Sequence, residues 1–406
     1  MIDTLTRPIC FHVGKKACLA VGLLLMLGCG ENNPTLIDGA GGAPEQDGSG
    51  GSTGGTGNAG GEGGAGGSDG TDAAAGASGS GGATGTVDAS GIDIDDLCAT
   101  PPAASALVGW ASVDAMGQNG TTGGGSVAPI WANTEAAFTT GVSGTTPRVI
   151  YVTGKLSGSF GIGSHKTIVG LCGAEIHGHL ELSHSVNVIV RNLTVVGNNC
   201  TDSPADCSAG ADAITVSNAA HHIWFDHDDV YDGSDGNLDI TSGSDFVTIS
   251  WTKFHYSTLR SDPLAGSSGH RFSNLIGSAD VVPADVGHLN VTFHHDWWAD
   301  NVNQRMPRDR NGKIHVFNNL YTSVGNSYCT NAGFQASLLV ENNVYIGVRN
   351  PLSPDANGDM LARGNVFDNT SGTNSASGMG FLPDYPYTPE PTAGLEATLM
   401  REVGPR

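Results

Sequence analysis

Seven short segments of this chain share one pattern of apolar and polar positions. They are VIVRNLTV, IWFDHDDV, VTISWTKF, VTFHHDWW, IHVFNNLY, LLVENNVY and MLARGNVF, beginning at Val188, Ile223, Val247, Val291, Ile314, Leu338 and Met360. Each is apolar at its first, third and eighth positions and usually polar or small at its fifth. Successive first residues are separated by 35, 24, 44, 23, 24 and 22 positions, so four spacings lie near 23, and the other two look like that period plus inserts of about 11 and about 20 residues. Strand-length apolar runs at this period, with no helical patterning between them, predict an all-β solenoid: a parallel β-helix with three short strands in each coil. Like positions of successive coils would then stack about 4.8 Å apart.

The fifth positions form one expected column: Asn192, His227, Trp251, His295, Asn318, Asn342 and Gly364. Asparagine amides there would bridge neighbouring coils, which accounts for the NN pairs, and His227 and His295 are read as members of that column rather than as ligands or bases. Open ends of a solenoid invite association and need covering. A short helix over Asn133–Val142 is expected to cap the start, and a second, within Pro391–Gly404, to fold back on the coils.

Register then groups residues that are far apart in sequence. Asp212 precedes Ile223 by 11 positions, Asp239 precedes Val247 by 8 and Arg305 precedes Ile314 by 9. Arg260 precedes Val291 by 31, about 11 once the insert is subtracted, which puts it on the same face. With Asp235 in the polar turn between the first two, three carboxylates would crowd two adjacent coils. Either a bound Ca²⁺, which favours several oxygen ligands in loose geometry, or pairing with arginines would relieve that repulsion. Arg305, Arg308, Arg310 and Lys313 lie in one strip, NQRMPRDRNGK, of a chain with few basic residues. Acids for a metal beside bases for an anion suggest a ligand bearing carboxylates.

Composition divides the chain before any of this begins. Residues 1–29 have a basic start, an apolar run from Ala17 to Gly28 too short to span a bilayer, and Cys29. The ending LLLMLGC resembles a bacterial lipobox, which implies lipidation of Cys29; ordinary cleavage and secretion is the alternative. Residues 30–97 are mostly Gly, Ala, Ser and Thr without Lys, Arg or aromatic residues, a composition that cannot bury a core and reads as a tether reaching about 45 Å. Its unbalanced acids contribute to the net charge of −22, which therefore says little about residues 98–406, the solenoid domain. The mature chain is expected outside the cytoplasm, lipid-anchored at the outer membrane or cell surface, or secreted. Five cysteines, Cys98, Cys172, Cys200, Cys207 and Cys329, remain; Cys200 and Cys207 could staple one loop, and the pairing stays open.

The ordered set WFDH, LDIT and QRMPRDRNGKIHVFNN, with VGWASV and GTTGGG earlier and DYPYTPEPTAG at the close, resembles the pectate lyases of polysaccharide lyase family 1. The resemblance implies a single-stranded right-handed parallel β-helix, pectin-lyase-like, with short capping helices, and calcium-dependent β-elimination of polygalacturonate to 4,5-unsaturated oligogalacturonides. It further implies that Asp212, Asp235 and Asp239 bind Ca²⁺, that Arg305 is the base, and that Arg310, with Arg308, binds substrate carboxylates. Asp235 stands where some relatives have Glu, and Gly210 stands where some carry a further acid. Arg260 is the stand-in for the family's groove lysine. The expected partner is the polysaccharide alone, with no nucleic acid, membrane contact only through the lipid, and a monomeric chain. Two other readings are a pectin lyase acting on methyl-esterified chains without calcium, which the aspartates disfavour, and a surface solenoid that binds pectin without cutting it.

Overall fold

The computed structural model describes residues 100–197, 212–257 and 270–406. Cys29, Cys98, Cys200, Cys207, Gly210 and Arg260, the signal and tether regions, and most of the two expected inserts lie outside them.

The chain winds as a right-handed parallel β-helix with three walls. The first wall is built from Val186–Arg191, His221–Asp226, Asp245–Ser250, Asn290–His294, Lys313–Phe317, Ser337–Glu341 and Asp359–Arg363, each pairing in parallel with the next. The second runs from Thr194–Val196 through Asp229–Tyr231, Lys253–His255, Trp297–Trp298, Leu320–Tyr321 and Val344–Ile346 to Val366–Asp368. The third comprises Ile214–Ser217, Leu238–Ile240, Leu275–Ile276, Arg308–Asp309, Thr330–Ala332 and Leu352–Pro354. Two longer strands, Arg148–Gly161 and Lys166–Ser183, bend round the corners of the first coils.

The sequence repeat is the register itself. Val188, Ile223, Val247, Val291, Ile314, Leu338 and Met360 stand in one paired column and are all buried. The eighth positions form an aromatic stack, Phe254–Trp298–Tyr321–Tyr345–Phe367, with successive ring centroids 5.7, 4.7, 4.2 and 5.2 Å apart. Alternation along each strand sends these groups inward, where contact with the coil above and below removes them from water.

The fifth-position column makes some of the expected bridges, Asn192 Nδ2 donating to Gly170 O (2.6 Å) and Asn318 Nδ2 to Asn342 O (3.4 Å) on neighbouring coils, and it has a second role. All seven of its residues, from Asn192 (φ 57°) to Gly364 (φ 68°), adopt the left-handed conformation that turns the chain from the first wall into the second. Asn pays less steric penalty there than most side chains, and Gly least. His227, Trp251 and His295 fill it as a ring stack, with centroids 5.6 and 4.4 Å apart. The amide ladder lies one position later. The backbone N–H of Asp296 donates to Asn319 Oδ1 (2.7 Å), that of Asn319 to Asn343 Oδ1 (2.9 Å) and that of Asn343 to Asn365 Oδ1 (2.9 Å). Of each NN pair, the first residue makes the corner and the second carries the continuous ladder.

Helix α1, Glu135–Val142, is capped by Thr134, whose Oγ1 accepts from the Ala137 N–H, and it buries Phe138 edge-on to Phe160 at the start of the solenoid. Helix α2, Leu395–Glu402, buries Leu395 and Leu399 against Leu320 and Val344, so it lies along the flank of the second wall. Segments near both chain ends cross the outside of the first wall. Trp110 and Ala111 donate from their backbone N–H groups to Thr292 and Thr248, and Tyr385 shares a hydrogen bond with Thr292. Cys172 is disulfide-bonded and Cys329 is a buried free thiol. Among the described residues no helix is long and apolar enough to cross a membrane.

At two rungs of the ladder, Asp228 and Asp296 replace asparagine. Each accepts one backbone N–H through Oδ1 (2.9 Å, from Leu193 and Thr252), but each Oδ2 is buried without a partner, and burial holds both carboxyls well above the usual carboxylate range. Asn319, Asn343 and Asn365 use the corresponding Nδ2 to donate to carbonyls one coil down, at Phe293, Val316 and Val340. By the same register Asn at 296 would reach the carbonyl of Ile249. A carboxyl whose pKa is raised by folding costs more stability as pH rises above its unfolded value. Asp296→Asn is therefore expected to stabilise the fold by about 1–3 kcal/mol, with the gain in melting temperature larger at alkaline than at acidic pH; a variant melting lower than wild type at alkaline pH would refute the assignment.

Candidate active site

The third wall brings the three predicted acids and Arg305 to one side of the solenoid. Asp212 leads into Ile214–Ser217; one coil on, Asp239 sits in Leu238–Ile240 directly over Thr215. The Thr215 hydroxyl donates to Asp212 Oδ2 at 2.9 Å, and the Leu275 N–H donates to Asp239 Oδ1 at 2.9 Å. Between them runs Gly236. A Cβ on this residue would stand 3.0 Å from Asp212 Oδ1 and 3.0 Å from Asp239 Oδ1, so glycine leaves room between the two carboxylates that a larger residue would press into. Asp212 Oδ1 is buried and has no hydrogen-bond partner.

Electrostatics follow from that crowding. Burial, with the charge of Asp235, pushes the Asp212 carboxyl up to about 7, against the opposing pull of Thr215 and Arg305. Burial and the neighbouring Asp212 raise Asp239 well above the usual carboxylate range. Asp235 stands nearer the rim, 46% exposed, with its Oδ1 3.4 Å from His270 Nε2. Asp212 and Asp239 thus flank Gly236, Asp235 acts on both through its charge from nearer the rim, and among the described residues no group of three or more His, Cys, Asp or Glu side chains stands in metal-holding geometry. An orphaned carboxylate oxygen facing a second carboxylate over a glycine nonetheless fits a hard cation, which would supply the missing partner.

The basic strip is divided. Arg305 has a left-handed backbone (φ 64°), its carbonyl accepts the Asn274 N–H at 2.7 Å, and its guanidinium carbon lies 4.2 Å from the centre of the Phe272 ring. Its Nε is buried without a hydrogen bond. Arg308 is half-buried on the third wall, paired in register with Leu275 on one side and Asn331 on the other. Arg310 is engaged at the next corner: Nε lies 3.3 Å from Asp280 Oδ1, and Nη1 donates to the carbonyls of Ser278 (2.6 Å) and Gly277 (3.3 Å). Lys313 is separate again, lining a cavity of about 510 Å³ with Trp110, Phe246 and His288. Sequence reasoning missed Thr215, Gly236, His270 and Phe272. Thr215 and Gly236 were within reach, three positions after Asp212 and three before Asp239, as local supports of the acids.

An open wall with buried acids at one level and unpaired guanidinium edges at another suits a long anionic polymer, and the class it defines is a polysaccharide lyase built on a parallel β-helix. The chain belongs to the pectate lyase family. The family profile described as pectate lyase matches residues 83–381. Pectate lyase A of Aspergillus niger is 32% identical over 341 residues, covering 78% of this chain and 96% of its own. A pectate trisaccharide-lyase of Thermotoga maritima is 39% identical over 162 residues, covering 39% of this chain and 40% of its own. Among solved structures, a Bacillus sp. pectate lyase in complex with trigalacturonate shares the fold with a TM-score of 0.62 at 23% identity, over 74% of this chain and 98% of that one. A Bacillus subtilis pectate lyase mutant does so with a TM-score of 0.58 at 21% identity, over 73% and 96%.

Because Asp212 and Asp239 keep their protons to higher pH in the fold than in the unfolded chain, the contribution of this pair to the stability of the metal-free protein is fully present below the ordinary carboxylate range and is lost as pH rises towards about 7 and beyond. Thermal melts in chelator are expected to show Asp239→Asn losing less stability than wild type as pH rises over this range. An equal fall in both would show that the pair is not the source.

Proposed function

We propose that this lyase cleaves de-esterified polygalacturonate by calcium-assisted β-elimination, releasing 4,5-unsaturated oligogalacturonides. The observation that carries the proposal is the buried Asp212–Asp239 pair, with an oxygen of Asp212 left without a partner. Two such carboxylates are costly to ionise side by side, and oxygen donors in loose geometry are what Ca²⁺ favours. Asp212 and Asp239 would hold the ion, with Asp235 completing the set from the rim. When bound, Ca²⁺ would supply positive charge to a uronate carboxylate.

Arg305 is assigned the proton on C5. The C5–H bond breaks with its proton passing to a nitrogen of the deprotonated, neutral guanidine of Arg305, which becomes guanidinium; the electron pair forms the C4–C5 double bond, and the C4–O4 bond breaks with O4 taking a proton from water. Arginine holds its own proton beyond about pH 12, and two ionised aspartates nearby would hold it further. Neutralising those carboxylates removes that second obstacle, and the remaining one predicts a rate that rises into the alkaline range. Negative charge accumulates on the uronate carboxylate in the transition state, where Arg308 would meet it together with Arg260, which lies outside the described residues, and with Arg310 once that side chain has released Asp280.

The test is the ultraviolet absorbance of unsaturated product from polygalacturonate and from highly esterified pectin, with and without chelator. Arg305→Ala should lower kcat by at least about 10³-fold with an unchanged melting temperature, and chelator should abolish turnover of polygalacturonate. Chelator-insensitive cleavage that prefers the esterified polymer would replace this reading with a pectin lyase; binding without product would leave a non-catalytic solenoid.

For the amino-terminal regions we propose that residues 1–29 direct export, that Cys29 carries a lipid, and that residues 30–97 tether a monomeric catalytic domain at the cell surface. Labelled palmitate should enter wild type and not Cys29→Ser. Recovery of unlabelled wild-type chain in the medium would count against the anchor.

A further inference from the structure

We propose that Phe272 is a positioning residue for Arg305: its ring face, in place of a hydrogen-bond partner, fixes the plane of the guanidinium and leaves the N–H edges available to substrate. The inference rests on the assignment of the C5 proton to Arg305. The stack is close, with the guanidinium carbon 4.2 Å from the ring centre, and Phe272 is only 6% exposed. The ring is itself held. Phe272 forms a parallel bridge with Gln304, its carbonyl accepts the Tyr256 hydroxyl at 2.7 Å, and His270 packs edge-on against it at 4.3 Å. The adjacent backbone is pinned to the same strip, with Ser273 N–H donating to Gln304 O (3.1 Å) and Asn274 N–H to Arg305 O (2.7 Å).

The contrast with other arginines shows what the stack achieves. Arg310 is tied by Asp280 and two carbonyls, Arg363 by Glu341, and Arg191 by the carbonyl of Pro102. Each of those ties occupies donors, and a carboxylate tie also holds the guanidinium proton in place. Among the described residues the Arg305 guanidinium has neither a hydrogen bond nor an ion pair, and its Nε is buried. An aromatic face restrains such a planar cation without consuming its donors. That is the condition a group needs if it is to meet a C–H bond and a carboxylate at once.

The experiment uses the full chain and two ring-removing variants, Phe272→Leu and Phe272→Met, with Phe272→Tyr as the conservative control. Loss of alignment at a reacting centre should lower kcat on polygalacturonate by about 10–100-fold while KM stays within about 2-fold, and Phe272→Tyr should restore most of the rate. A second readout is independent of turnover. The Nε–H resonance of Arg305, identified by its loss in Arg305→Lys, should be displaced by the ring current in wild type and Phe272→Tyr, and should return to the bulk arginine position in both ring-removing variants. Unchanged kcat in the Leu and Met variants, an equal loss in Phe272→Tyr, or a resonance that ignores the ring would overturn the proposal. If Arg305→Ala retains turnover, the proton assignment fails instead, while the resonance still reports whether the stack exists.

Discussion

Backbone hydrogen bonding between coils is the constraint from which the rest of this molecule follows. A parallel ladder closes only if each coil returns to the same wall in phase with the one beneath it, so the chain consumed between corners is nearly constant and length changes are confined to loops. The Val188-to-Met360 column, the aromatic stack from Phe254 to Phe367 and the bridging residues from Asp228 to Asn365 are three readouts of that phase. The same phase sets Asp239 over Thr215 and thereby brings Asp212 and Asp239 to opposite sides of Gly236.

The active face is organised by which charges are compensated within the protein and which are not. Away from the acids charges are matched: Arg310 and, on the first wall, Arg363 have carboxylate partners, and Glu341 is gripped by His315, Arg363 and Tyr387, which hold its carboxyl down to about 2. On the active face, Asp212 Oδ1 and Arg305 Nε are both buried and without a hydrogen bond. Leaving such groups unmatched is unfavourable in an isolated fold and becomes useful when a ligand brings the missing complement. Their placement at different levels along one side of the solenoid matches a ligand that carries carboxylates on a cation-binding polymer.

Much of this was legible because a solenoid turns linear spacing into position. The first, third and eighth apolar positions identified the inward faces, and α1 and α2 fall within the two predicted stretches. The offsets of Asp212, Asp239 and Arg305 from their repeats placed them on the same wall. What resisted reading lacks a period. Both residues of each NN pair are polar and compact, so the string of letters does not say which one turns the chain and which carries the continuous ladder. Arg310 is separated from Arg305 by its contact with Asp280, in a loop that belongs to the second insert but sits at the corner between the third and first walls rather than beside the acids. Phe272 and His270 follow that insert's other part, where no repeat fixes the register, and their closeness to Arg305 and Asp235 depends on how the coil closes.

The column of left-handed corners has a bearing on how such chains diverge. A site that accepts Asn, His, Trp or Gly, provided the turn is made, exerts little selection on the letter occupying it and strong selection on its phase. Kinship then persists as a rhythm of intervals after most individual letters have been exchanged, and low identity alongside an intact architecture is the ordinary result. Ancestry in this fold is better traced by where the bends fall than by what they are made of.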